Sequence, residues 1–223
     1  MENQLIPNGP LPTVSGNSLS DALSVWAAGV TLVTIADGRD DIGTTVSAFC
    51  PVSLDPPIVL VSLATDSYPA EVLSRPSLPA AGFAVTLLSA SQKMLAGRFA
   101  AAGRPSARLL LDDVPHVRGD LSGALIPSGG LAALECTVAR RVPAGDHLLV
   151  ISAVTSVAYM ADAGDPLIRF RARYPVLPWL PVVAVDDLVE GAPVRTPDQR
   201  QRPVRGITER DQVGAEPVFG EPE

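Results

Sequence analysis

The chain has 223 residues, 47% of them hydrophobic, a formal net charge of −7 and a calculated pI of about 4.8. That length suits one domain with a sizeable core and room for an extension, and not two full domains. The acidic balance disfavours nonspecific binding to nucleic acid or to an anionic membrane, and no stretch reaches membrane-spanning length without charge or proline. Two cysteines, Cys50 and Cys136, give neither metal-ligand spacing nor a disulfide framework. They fit a reducing compartment and read as buried, inert thiols. The N-terminus lacks a basic region followed by a long apolar run, so a soluble, cytoplasmic protein is expected.

Residues 1–18, rich in Pro, Gly, Asn and Ser, read as a mobile arm. Ser18 or Ser20 can cap a short helix with Leu19, Leu23 and Trp26 near one face, ended by Gly29. Val30 to Ala36 reads as a strand, Asp37-Gly38 as a hairpin turn and Ile42 to Phe49 as the partner strand. Pro56-Pro57 stiffens the chain before the apolar strand Ile58 to Leu63. A short helix over Tyr68 to Ser74, capped by Asp66 or Ser67, is followed by a strand from Ala81 to Leu88. Ser89-Ala-Ser-Gln92 then reads as a capping box opening a helix to about Ala102, with Leu95 and Phe99 as packing residues. Residues 103–130 read as a long surface loop. Leu131 to Val142 and His147 to Met160 form a hairpin of long strands, and Pro166 to Tyr174 a final strand. Residues 178–223, beginning with Pro178-Trp-Leu-Pro181, read as a proline-rich extension, partly disordered. Within it, Trp179 to Val185 is either a docking arm or a cap on its own domain.

The segment Ile42 to Pro57 carries the clearest chemical signal. Thr44, Thr45, Ser47, Ser53 and Ser62 place small hydroxyl groups and backbone amides on adjacent strands, which suits a planar heterocycle with carbonyl and imide edges. Structural use of Ser and Thr on strands is the plainer alternative. Ser67 is either an N-cap or a hydroxyl beside a phosphate at a helix start. His147, at the start of a strand, is either an orienting group beside a ring or a surface histidine bonded to Asp146. On one strand face, Arg169, Arg171 and Arg173 would meet a phosphate or simply be solvated.

Taken in order, Trp26-Ala-Ala-Gly-Val-Thr-Leu-Val-Thr34, Gly43-Thr-Thr-Val-Ser-Ala-Phe49, Ser53-Leu-Asp-Pro-Pro57, Gly82-Phe-Ala-Val-Thr-Leu-Leu88, Gln92-Lys-Met-Leu-Ala-Gly-Arg-Phe-Ala100, Gly145-Asp-His147 and Arg171-Ala-Arg-Tyr174 resemble the flavin reductase family. The resemblance covers about residues 19–177. It implies a mainly β fold, an antiparallel split β-barrel of FMN-binding type with a few short helices, assembled as a homodimer. It implies FMN or FAD bound near Thr44, Thr45, Val46, Ser47, Ser53, Ser62, Leu63, Ser67, Phe170 and Tyr174, with His147 as the candidate catalytic residue. This chain departs from the family pattern where Pro69 stands for a Thr, Thr86 for an Asn, Phe170 for a His and Ala172 for a Gly.

The expected function is therefore an NAD(P)H-dependent flavin reductase, using NADH or NADPH and supplying reduced flavin to a partner flavin-dependent monooxygenase in aromatic or secondary metabolism. An alternative keeps the barrel but recruits it as an oxidase, oxygenase, cofactor-free enzyme or ligand-binding module. No metal is expected.

Overall fold

The computed structural model describes residues 14–38, 40–75, 82–160 and 164–176. The expectations for the far N-terminal arm and for the proline-rich C-terminal extension lie outside these residues. The chain is mainly β. Thr31–Ala36 (β2), Asp41–Val46 (β3), Phe49–Leu54 (β4), Pro57–Ala64 (β5), Gly82–Leu87 (β6), Ala132–Ala144 (β9) and His147–Tyr159 (β10) form one seven-stranded antiparallel sheet, in the order β3-β2-β6-β9-β10-β5-β4. Ala28–Gly29 (β1) pairs with Ile168–Arg169 (β11), and His116–Arg118 (β7) with Leu125–Pro127 (β8).

The order has a geometric consequence. β3 and β4 lie at opposite edges, yet only Ser47 and Ala48 separate them. A flat sheet of this width would span about 29 Å, at about 4.8 Å per strand spacing. Three peptide links reach at most about 11 Å. The sheet must therefore curl until its edges approach, and the Ser62 amide donates to the Ala48 carbonyl at 2.9 Å near that junction. Among the described residues β3 and β4 do not pair, so the curl is open between them.

Strand alternation sorts the side chains. Val33, Ile42, Val46, Val61, Leu63, Val85 and Val150 point into the curled sheet, where Val72 and Leu73 of the helix Tyr68–Ser74 (α2) close one end. On the outer face, Leu32 and Leu88 pack against Leu95 and Phe99 of the helix Lys93–Ala100 (α3), with Leu111 beside them. Gly43 permits this packing, because a Cβ there would collide with the Phe99 ring.

Several boundaries differ from expectation. The first helix, α1, spans Gly16–Ser24 and is capped by the Ser15 side chain, so ordered structure begins inside the expected arm. The strand expected over Ile42 to Phe49 breaks at Ser47, and Phe49–Leu54 follows as a separate edge strand, where Pro51 is tolerated. Residues 103–130 are no surface loop. They contain Ala107–Leu110 (α4) and the β7–β8 ribbon, and bury Ala107, Leu111, Ala124, Leu125 and Ile126. These elements are too short to show a period in sequence. The capping box at Ser89 and Gln92 is present, opening a 3-10 turn ahead of α3.

The final strand is also shorter than expected. After Arg169 the chain turns back at Arg171 and Ala172, both at positive φ (49° and 54°), while Phe170 and Arg173 exchange backbone hydrogen bonds at 2.9 and 3.0 Å. This is the geometry of a type I′ turn, normally made by Asn-Gly. Arg169, Arg171 and Arg173 therefore do not share a strand face. Cys136 is buried, as expected, whereas Cys50 on β4 is exposed.

Candidate flavin site at the open edge of the sheet

A polar cleft of about 540 Å³ sits at the start of β3, between Asp40–Gly43, Asp66–Pro69 and Ala102–Ser106. Its wall is tied down by charge. Asp41, 1% exposed, accepts from Arg108 Nε and from both terminal nitrogens of Arg118, at 2.9 and 3.0 Å for the latter. The Arg118 hydrogen bond chiefly, then that of Arg108, holds the Asp41 carboxyl below its ordinary value against the opposing effect of burial. Arg104 donates from Nε to the Gly43 carbonyl at 2.7 Å. It makes no ion pair among the described residues, and burial lowers its pKa, so an anion in the cleft would compensate for its lost hydration.

The start of α2 contributes less than expected. The Ser67 hydroxyl donates to the Ala64 carbonyl at 2.6 Å and accepts the Ala70 amide at 3.4 Å, which makes Ser67 an N-cap with its one proton committed. Pro69, buried in the first turn, has no N–H to offer. Of the groups lining this cleft, Arg104 is the cation available to a phosphate.

An apolar cleft of about 400 Å³ lies at the other end of β3, lined among others by Thr31, Ser47, Phe49, Pro51, Leu87 and Leu131. From Asp41 to Ser47 is about 20 Å of strand. That length suits a planar ring with a polyol phosphate tail, ring in the apolar cleft and phosphate by Arg104. The residues present fit a flavin at both ends, with the reservation that Thr86 does not take part. Its wholly buried hydroxyl has no partner, and Gly130 covers the side chain, with Thr86 Cγ2 only 2.6 Å from where a Gly130 Cβ would stand.

Of the expected site residues, Ser47 and Ser67 line the two clefts. Thr44 lies on the inner face of β3 by alternation, whereas Thr45 faces outward and gives its proton to the Ala96 carbonyl of α3 at 2.7 Å. Val46 and Leu63 are core residues, 6% and 4% exposed, and offer a ligand only their backbones. Ser62 lies on the outer face of β5, opposite Leu149, and Ser53 sits half-buried after a bulge in β4. The structure thus does not converge these hydroxyls on one surface. His147 lines neither cleft; its Nδ1 bonds Asp146 Oδ1 at 2.7 Å, the arrangement of a surface-turn histidine. Phe170 and Tyr174 line a third cavity, with Lys93. Arg104 was missed because an arginine in a Gly-Pro-rich stretch has no distinguishing local pattern. Among the described residues, no group of three or more His, Cys, Asp or Glu is placed to hold a metal, and no helix is long and apolar enough to cross a membrane.

Comparison with known proteins gives the family of the chain. A family profile described as flavin reductase like domain matches residues 23–178. The NADH-dependent FMN reductase AsuE2 of Streptomyces nodosus subsp. asukaensis is 34% identical over 156 residues, 70% of this chain and 82% of that protein. The actinorhodin polyketide dimerase of Streptomyces coelicolor is 38% identical over 161 residues, 71% of this chain and 85% of that protein. The crystal structure of BorF, the flavin reductase component of a bacterial two-component tryptophan halogenase, superposes with a TM-score of 0.67 at 31% identity, covering 74% of this chain and 100% of BorF. With the match spanning most of its length, the chain belongs to the flavin reductase-like domain family.

Proposed function

We propose that this protein is an NAD(P)H-dependent flavin reductase that passes reduced FMN or FAD to a partner monooxygenase. The observation that carries it is the pair of clefts at the two ends of β3, one apolar around Ser47 and Phe49, one polar around Arg104. The open curl of the sheet supports a split-barrel assignment, with the flavin along the gap. Bound flavin supplies the hydride acceptor, so the chain needs to orient two rings and exclude water rather than donate a proton at an obligatory side chain. His147 is then at most an orienting group at the surface. A homodimer is part of this reading, supported by the exposed apolar residues Leu19, Leu23 and Trp26 on and just after α1, which have nothing packed over them among the described residues.

The test follows NADH absorbance with added FMN or FAD and flavin-free controls. Oxidation that requires both protein and flavin, and that weakens in flavin KM by about tenfold or more in Arg104→Gln, supports the reading. No oxidation with either nicotinamide and either flavin removes it. A second reading, a family barrel recruited to another reaction, is favoured by the unpartnered Thr86 hydroxyl and by Pro69 at the α2 start, both at expected cofactor contacts. A family relative named as a polyketide dimerase is in keeping with it. A chain that binds neither flavin under titration would leave that reading standing.

A further inference from the structure

The polar cleft has three walls, and one hydrogen-bonded network ties them together from behind. Tyr68 opens α2 and Arg75 follows its last residue; a spacing of seven, close to two helical turns, puts both on one side of the helix. On that side they meet Asp37, just past β2. The Tyr68 hydroxyl donates to Asp37 Oδ2 at 3.1 Å, and one terminal nitrogen of Arg75 donates to both Asp37 oxygens, each at 3.1 Å. The other terminal nitrogen reaches back to Glu71 Oε1 at 2.9 Å, and the guanidinium carbon lies 5.9 Å from the Tyr68 ring centroid. Asp37, its side chain 9% exposed, is thus shared by two donors from α2. From there the network continues through the β2–β3 turn. The Asp37 amide donates to the Asp40 carbonyl at 2.9 Å, and Asp40 Oδ1 accepts the Ser106 hydroxyl at 2.5 Å. Tyr68, Asp40 and Ser106 each stand on a different wall of the cleft, whereas Arg75 and Asp37 line none of it.

Burial of Ala70, Val72 and Leu73 holds α2 against the sheet, but apolar packing has no direction. The Asp37 clamp is directional, and it ties the first turn of α2 to the hairpin that leads into β3. We propose that Arg75 is a positioning residue for flavin: by gripping Asp37 and backing the Tyr68 ring, it sets the width of the cleft that takes the phosphate end. With Arg104 as the cation available there, a phosphate is held well only where the facing wall stays close and keeps the local dielectric low. The inference rests on the flavin reading of this cleft and adds to it a determinant of affinity that does not touch the ligand.

Fluorescence titration of the full chain with oxidised FMN tests it, with riboflavin as the probe that lacks the phosphate. The parent is compared with Arg75→Met, Asp37→Ala and the double variant, and circular dichroism confirms folding. Arg75→Met should weaken FMN by about tenfold and leave riboflavin within about twofold, because only the phosphate end is disturbed. In NADH turnover the same variant should raise the FMN KM and keep kcat. Asp37→Ala should weaken FMN to a similar degree and the double variant no further, because the two residues act as one device. Tyr68→Phe, which removes only the hydroxyl, should weaken FMN by about threefold, and it carries the test if the arginine variant does not fold. Equal loss of FMN and riboflavin, or loss of neither, overturns the inference and leaves the reductase reading intact. Recovery of FMN binding in the double variant also overturns it, because the stranded Asp37 charge and not the cleft width is then at work. A parent chain that binds neither FMN nor FAD removes the flavin reading of the cleft and this inference with it.

Discussion

Replacing Asp41 by Ala removes the charge that joins three elements. Its carboxylate, 1% exposed, holds Arg108 of α4 and Arg118 of β7 against the start of β3. Breaking a fully buried pair costs about 3–5 kcal/mol, because the surviving charge is stranded. Here the two guanidinium side chains are 60% and 46% exposed and can turn to water, so part of that penalty is absent. Two charge-assisted contacts, discounted for that exposure, give a loss of about 2–4 kcal/mol. For a domain of this size that lowers Tm by about 5–15 °C. The pH dependence has a definite sign. The Asp41 pKa is depressed in the folded chain, first by the Arg118 hydrogen bond, so its contribution is present above the ordinary carboxylate range and lost as pH falls through the folded value. Thermal denaturation of parent and Asp41→Ala from pH 7 downward should show a constant deficit above about pH 5 that shrinks below pH 4. A deficit under about 0.5 kcal/mol at pH 7, or one that grows on acidification, would refute the reasoning.

Gly43→Ala drives a methyl group into the Phe99 ring and should cost about 1–3 kcal/mol, visible as a lower urea midpoint. Because Gly43 lines the polar cleft, flavin turnover should fall with it. Ala172→Gly should stabilise by about 0.5–1 kcal/mol, since the left-handed cost of an L-residue outweighs glycine's entropy; a drop in the denaturation midpoint would contradict the turn assignment. In thiol titration at neutral pH, Cys50 should react at once and Cys136 only on unfolding, because burial, with the charge of Glu135 adding to it, pushes the Cys136 thiol up to about 12. Equal rates for the two would disprove that burial.

Elements whose information is local are legible in the amino-acid order. The helix over Tyr68 to Ser74, the capping box at Ser89 and the long hairpin through Gly145 all follow from caps, turns and periodicity within a few residues. Features that depend on partners far apart in the chain emerge only on folding. Only the curl of the sheet shows that Thr45 spends its proton on α3, that Val46 and Leu63 face the core, and that His147 stays at the surface with Asp146. Only the packing of residues 103–118 brings Arg104 to Gly43 and two arginines to Asp41, across more than sixty residues of sequence. Strand alternation tells which side chains share a face. Which face meets water, core or ligand is set by the sheet's curvature, and that is the sum of all its strands.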